Sequence, residues 1–437
     1  MLDSDIGGQD TREFLRHEAA TDKAAGLLEH GRSWSNVRAD LVALKENDYD
    51  WRAGRIPIYV YHDTDELLTV SREAYALYFT ENALGKRAFP SVARMEEDLL
   101  RMALALFHAP AESGGSFTSG GTESIFLALK TARDHFKATR SVPGRLNIVI
   151  PLTAHPAFDK AAQFLDVDVN RTGLGADLRA DLDQMGKAID SNTVLVACSA
   201  PCYPYGVYDQ IREIGELALS RGVWLHIDAC LGGFLAPFAR DEGYAIPDFD
   251  FAVPGVTSLS ADIHKYGFSA KGASFILYRS ASLQAHQGFQ FSNWPRGNYS
   301  TDTFLGTRPA GAVASAWAVS QYLGRAGYRR ITRKIMDAKR RLREGLERIQ
   351  GLEVLQPSEL SILLYKSADS RVDINAVADM LSARGWFVGR SREPEAIHLA
   401  LNTVHAPIID EYVRDVAAAV VRVRATGRSG HRDDNTY

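Results

Sequence analysis

Cysteine is scarce in this sequence: Cys198, Cys202 and Cys230 are the only three in 437 residues. So small and odd a number excludes a disulfide-stapled secreted fold. Cys198 and Cys202 have no second pair to complete a zinc site, no HExxH spacing occurs, and no metal is expected. Long apolar runs are missing too, so nothing spans a bilayer. The opening stretch, MLDSDIGGQDTREFLRHEA, lacks the basic and apolar regions of a signal peptide. An excess of positive charge is also lacking: 50 Lys+Arg against 54 Asp+Glu give a net charge of −4, unlike a nucleic-acid binder. There are no repeats, no long low-complexity tracts and no helix-turn-helix segment near the start. Together these absences describe a soluble, cytoplasmic protein with no nucleic-acid partner and no integral membrane segment.

The sequence does have ordinary globular composition, with 46% hydrophobic and 24% charged residues. Short apolar runs at 146–150, 193–199, 223–227 and 273–278 read as buried strands. Amphipathic stretches at 124–136, 158–165 and 211–220 read as the helices between them. Buried strands alternating with helices predict an α/β domain with a mostly parallel sheet. A helix is predicted over 91–107. A long basic one over 328–350 has Ile331, Ile335, Leu342, Leu346 and Ile349 on an apolar face, and reads as a solvated surface helix. Strand-like segments follow at 353–355 and 360–365. The expected organisation is an N-terminal helical segment (1–60), a large domain (61–311), a smaller C-terminal α+β domain (312–426) and a disordered tail (427–437).

Three stretches can carry chemistry. Ser119-Gly120-Gly121-Thr122-Glu123-Ser124 puts two glycines before a helix, where free N–H groups and the helix dipole favour a phosphate. Asp228, in His226-Ile227-Asp228-Ala229-Cys230, ends a buried strand, where α/β proteins place ligands. Lys265, in Asp262-Ile263-His264-Lys265-Tyr266-Gly267, is a candidate Schiff-base lysine, since a desolvated amine loses its proton and attacks carbonyls. Each signal is weak alone. In this order they match the needs of one cofactor bearing a phosphate, a pyridine nitrogen and an aldehyde: pyridoxal 5′-phosphate.

The stretches SGGTESIFLALKTARD, TAHPAFDKAA, SAPCYPYGVYDQI, LHIDACLGGFLAPF, GVTSLSADIHKYGFSAKG and GTRPAG, in order from about residue 115 to 311, resemble the sphingosine 1-phosphate lyases. These form a branch of the group II pyridoxal-phosphate decarboxylase family, of fold type I. Eukaryotic members carry a membrane-spanning N-terminal helix, and this chain resembles the soluble bacterial ones. The resemblance implies a fold type I enzyme and a homodimer with a shared active site. It implies retro-aldol cleavage of an amphiphilic, phosphorylated sphingoid base into a long-chain aldehyde and phosphoethanolamine. An amino-acid decarboxylase, or an aldolase-type lyase for another β-hydroxy amine, is the alternative.

Position by position, the resemblance makes Lys265 the lysine that carries the cofactor aldehyde. Asp228 becomes the acid paired with the pyridine nitrogen, and His155 the histidine stacked on the ring. Cys230 packs under the other ring face. Gly120, Gly121 and Thr122 become the cofactor-phosphate turn, and His264 the family's histidine beside the lysine. Thr307 and Arg308 match a loop that reaches the partner subunit's site. Lys271, Tyr203 and Tyr61 match active-site residues for substrate phosphate or proton transfer. Three departures put substrate identity in question. Gly85 stands where the family has a histidine, with Lys86 and Arg87 beside it as substitute charges; Tyr205 replaces another histidine; and Pro156 follows the stacking one.

Overall fold

A computed structural model describes residues 26–432 of the chain. The chain divides into two compact units, 1–48 and 49–437. In the first, the described part holds the helix Trp34–Ala43, whose Ser33 hydroxyl caps it by accepting the N–H of Asn36. The remainder of the expected N-terminal segment, residues 1–25, lies outside the described residues.

The second unit is built on a seven-stranded sheet: β1 (Gly114–Thr118), β2 (Asn147–Pro151), β3 (Asp168–Thr172), β4 (Thr193–Ser199), β5 (Trp224–Asp228), β6 (Val256–Ala261) and β7 (Ser274–Tyr278), in the order β1-β7-β6-β5-β4-β2-β3. Strands β3, β2, β4, β5 and β6 run parallel. Strand β7 runs antiparallel to both β6 and β1. This is the α/β, mostly parallel sheet that the apolar runs predict. The connection from β6 to β7, residues 262–273, holds no helix to carry the chain across the face of the sheet, and β7 returns antiparallel beside β6. Every residue of β2, β4, β5 and β7 is buried, hence their continuous hydrophobic character. Strand β5 ends one residue later than the sequence pattern predicts, so Asp228 is its last member.

The predicted helix over 91–107 is Pro90–Leu106, with a proline in its first turn. The predicted basic helix is the second part of a longer one, Ala310–Glu347, broken at Gly324, whose φ of +52° favours glycine. Its Val319, Ile331 and Ile335 join the main core, and its Leu342 and Leu346 join a second one. That second core lies under an antiparallel sheet of order β10-β11-β13-β12, formed by β10 (Leu352–Val354), β11 (Ile362–Ser367), β12 (Gly389–Arg392) and β13 (Glu395–Ala400). A separate hairpin pairs β8 (Phe289–Phe291) with β9 (Tyr299–Thr301). Near the C-terminus, the Gly430 and His431 amides donate to Asp373 and Asp379. Residues 433–437 of the expected tail lie outside the described residues. Among the described residues no helix is long and apolar enough to cross a membrane.

Candidate active site

A cavity of about 680 Å³ opens beside the C-terminal ends of the parallel strands, where doubly wound sheets place ligands. Gly120, Gly121 and Thr122 reach it from the turn after β1, and His155 from the loop after β2. Tyr203 comes from the loop after β4 and Asp228 from the end of β5. Asp262, His264, Lys265 and Lys271 come from the loop after β6, and Tyr59 and Tyr61 from the chain ahead of the first helix of this unit.

Helix Gly121–Thr139 starts without a side-chain cap, which leaves N–H groups of its first turn for an anion. Gly121 is required by space: a Cβ there would lie 2.7 Å from Cys230 Sγ and 3.0 Å from both Asp262 oxygens. Glu123 anchors the turn from behind. Its Oε2 accepts the N–H and hydroxyl of Ser119, each at 2.6 Å, and its Oε1 accepts the N–H of Phe304 at 2.7 Å.

Asp228 is buried, and one of its oxygens accepts the Cys230 N–H at 3.0 Å. Cys230 lines the cavity, its thiol 3.3 Å from the Ser260 hydroxyl, and burial pushes that thiol far up. It is therefore no nucleophile at neutral pH. His226, one strand position earlier, points away into Ser258 and Ser260, and burial pulls it down to about 4. His155 accepts the Ala157 N–H on Nδ1 at 3.1 Å. Burial lowers its pKa despite Asp228 nearby, so its ring is neutral at pH 7.

Lys265 Nζ lies 2.9 Å from Asp262 Oδ2. Burial opposes the lysine's charge, but Asp262 outweighs it and the ammonium is held well above its ordinary range. His264 accepts the Ala273 N–H on Nδ1 at 3.2 Å, and burial lowers its pKa. Lys271 donates to the carbonyls of Tyr59 at 2.9 Å and His264 at 3.3 Å; enclosure by the cavity walls brings it down to about 8.

Side chains of the second sheet's layer fix the two tyrosines. Asn402 donates to the Val60 carbonyl at 2.8 Å and Thr403 to the His62 carbonyl at 2.6 Å. These bonds hold Tyr61, whose ring meets Tyr266 edge-on at 4.8 Å. His398 donates to the Tyr203 carbonyl at 2.9 Å, and its ring packs 4.7 Å from that of Tyr203.

Residues 60–366 match the model of the pyridoxal-dependent decarboxylase conserved domain. The sphingosine-1-phosphate lyase of Arabidopsis thaliana is 39% identical over 389 residues, 87% of this chain and 71% of the relative. That of rice is 37% identical over 427 residues, 96% of this chain and 77% of the relative. The sphingosine-1-phosphate lyase structure from Burkholderia pseudomallei superposes with a TM-score of 0.87 at 33% identity, covering 92% of this chain and 93% of the other. The chain belongs to the pyridoxal-dependent decarboxylase family, in its sphingosine-1-phosphate lyase branch.

As in that family, the cofactor is pyridoxal 5′-phosphate. The cavity suits it: a glycine cradle too tight for a Cβ, a buried carboxylate ending a strand, and an amine on the next loop.

The family's other expected contacts lie outside this cavity in the same chain. Arg308 is buried and donates to Glu96 at 2.6 Å, and Thr307 is exposed beside it. Gly85, Lys86, Arg87 and Arg308 line a different cavity, of about 580 Å³. Tyr205 does not line the lysine cavity either: its hydroxyl donates to the Glu393 carbonyl. Pro156 is the residue just before helix Ala157–Leu165. The sequence reading gave no role to Asp262, Glu123, Thr153, Ser199 or Tyr59, all of which line the cavity. For Asp262 a usable signal existed, an acid three positions before the lysine. For the bond from Glu123 to the Phe304 loop there was none, because that loop is remote in sequence.

Proposed function

We propose that this protein is a lyase of phosphorylated sphingoid bases, splitting the Cα–Cβ bond to give a long-chain aldehyde and phosphoethanolamine. One observation carries the reading: Lys265, Asp228, His155 and the Gly120–Gly121 turn converge on one cavity, with a second lysine, Lys271, at its wall.

In this reading Lys265 carries the cofactor, Asp228 faces its pyridine nitrogen and neutral His155 lies against its ring. Gly120, Gly121, Thr122 and His264 hold its phosphate, and Cys230 packs beneath it. Bound in this way, pyridoxal 5′-phosphate supplies an aldehyde for the substrate amine and a ring that withdraws electrons from the bond to be broken. Lys271 binds the substrate phosphate through a charge-assisted contact. Tyr61 and Tyr203 handle the β-hydroxyl proton: when it leaves, the oxygen closes a carbonyl, the Cα–Cβ bond breaks, and a proton returns to Cα. Which bond breaks is a matter of orientation, set by where the phosphate is clamped.

We also infer a homodimer, in which Thr307 and Arg308 serve the partner's cavity. Supporting this, Arg308 is remote from its own chain's lysine, and Phe304, Leu305, Phe289 and Trp294 are exposed nearby. Three free, buried cysteines suit a reducing cytoplasm.

The test is a product assay with purified, cofactor-loaded enzyme and a sphingoid-base phosphate. Fatty aldehyde and phosphoethanolamine in equal amounts are expected. A yellow, folded enzyme that makes neither, but releases CO₂ from an amino acid, would overturn the assignment in favour of a decarboxylase.

A further inference from the structure

Asp262 is a buried carboxylate in the active cavity to which nothing above assigns a task. Only 2% of its side chain is exposed, and Oδ2 lies 2.9 Å from Lys265 Nζ and 3.7 Å from His264 Nε2. Oδ1 has no hydrogen-bond partner among the described residues, although it is buried. Such an oxygen is costly unless it has work to do. It is also placed at the mouth of the phosphate turn, 3.0 Å from where a Cβ on Gly121 would stand.

We propose that Asp262 is a positioning residue that fixes the charge state of Lys265, holding its amine as an ammonium and taking one proton when the amine attacks an aldehyde. This rests on Lys265 being the aldehyde-capturing lysine. The step balances. The ammonium gives one proton to Asp262, and the freed lone pair forms the C–N bond. The carbonyl oxygen leaves as water, carrying a second proton from nitrogen and the one returned by Asp262. One proton stays on nitrogen, and the carboxylate is restored.

The other groups facing the amine are Cys230, Tyr61, Tyr266, His155, His264 and Lys271. None of them can replace Asp262. Burial pushes the Cys230 thiol and the Tyr266 phenol up and pulls both histidines down, leaving all four neutral at pH 7; Tyr61 is a phenol rather than a carboxylate, and Lys271 has the wrong sign. Burial alone would push the Asp262 carboxyl up; Lys265, and after it His264, hold it low instead.

The test labels the full chain, stripped of cofactor, with pyridoxal and cyanoborohydride from about pH 7 to about pH 12, and quantifies modified Lys265 by peptide mass spectrometry. Pyridoxal has no phosphate, so changes at the phosphate turn do not enter. Asp262→Asn is expected to move the labelling midpoint down by about one unit or more, a roughly tenfold faster capture at neutral pH. Asp262→Glu should restore the original midpoint. An unchanged midpoint in a folded Asp262→Asn protein overturns the proposal. If wild-type Lys265 is never labelled while other lysines are, the assignment of Lys265 itself fails, and the proposal with it.

Should Asp262→Asn not fold, Lys265→Met provides the second measurement. It strands a buried carboxylate, whose pKa must rise. The stability lost relative to wild type should then grow between about pH 5 and pH 8, as the stranded acid is forced to ionise. A loss independent of pH would overturn the proposal equally.

Discussion

The ammonium of Lys271 stands 4.9 Å above the ring centroid of Tyr61, with the carbonyls of Tyr59 and His264 as its hydrogen-bond acceptors. It is a cation held by dipoles and a π face, and burial brings its pKa down to about 8. An incoming phosphate dianion is the partner that this arrangement favours. Lys271→Met should therefore raise KM for a phosphorylated substrate by about 10- to 100-fold, the value of a charge-assisted hydrogen bond. The unphosphorylated analogue should change little. In the wild type, affinity for the phosphorylated substrate should weaken as pH rises through about 8, where the cation is lost. Steady-state kinetics on both substrates across pH checks this; equal losses for both would argue against a phosphate role.

Gly121 offers a sharper probe of the cofactor turn. A methyl group there would meet Cys230 Sγ at 2.7 Å, closer than real Cβ atoms come, and the Asp262 oxygens at a tight 3.0 Å. Gly121→Ala should weaken cofactor binding at least about tenfold and cost about 1–3 kcal/mol of stability through overpacking. Gly186→Ala is the control, because its nearest neighbours would be ordinary contacts at 3.8 Å and 3.9 Å from Leu217. Being inside a helix, it should gain about 0.5–1 kcal/mol. Spectroscopic titration with pyridoxal 5′-phosphate and a thermal melt read both.

How far the sequence revealed the site depended on where each residue's partners lie. Asp228, Lys265 and the Gly120–Gly121 turn, which line one cavity, stand in local patterns: the end of a buried parallel strand, a lysine in a polar loop and a glycine pair before a helix. The sheet was readable for the same reason, since β2, β4, β5 and β7 are buried throughout. Glu123 was in plain view within the glycine motif, yet its function comes from Phe304, far along the chain. Tyr205 and Gly85 looked like changes to the substrate site. The fold turns the first toward Glu393 and places the second in the cavity that Arg308 lines, which no local pattern announces.

From this placement of Tyr205 comes an expectation about specificity. Its hydroxyl joins the loop after β4 to the turn between β12 and β13 and touches no part of the lysine cavity. Tyr205→Phe should cost about 0.5–1.5 kcal/mol of stability, the net worth of one hydrogen bond. It should leave the ranking of substrates by kcat/KM unaltered. A changed ranking would mean that this residue acts on substrate choice after all.

The dimer inference can be tested by mixing two inactive proteins. If Lys265 anchors the cofactor as proposed, Lys265→Ala should abolish its visible band. Arg308→Gln removes a charge while still being able to donate to Glu96, so the partly buried carboxylate with which Arg308 pairs at 2.6 Å keeps a partner. If Arg308 serves the partner's cavity, a mixed dimer assembles one damaged site carrying both changes and one intact site carrying neither. Equal amounts allowed to exchange subunits should then recover about a quarter of wild-type activity, since half the dimers are mixed and each has one good site of two. If Arg308 instead serves its own chain's cavity, every site in the mixture carries one of the two changes and no activity returns. The share of mixed dimers, read by native mass spectrometry of the same mixture, calibrates how completely the subunits exchange.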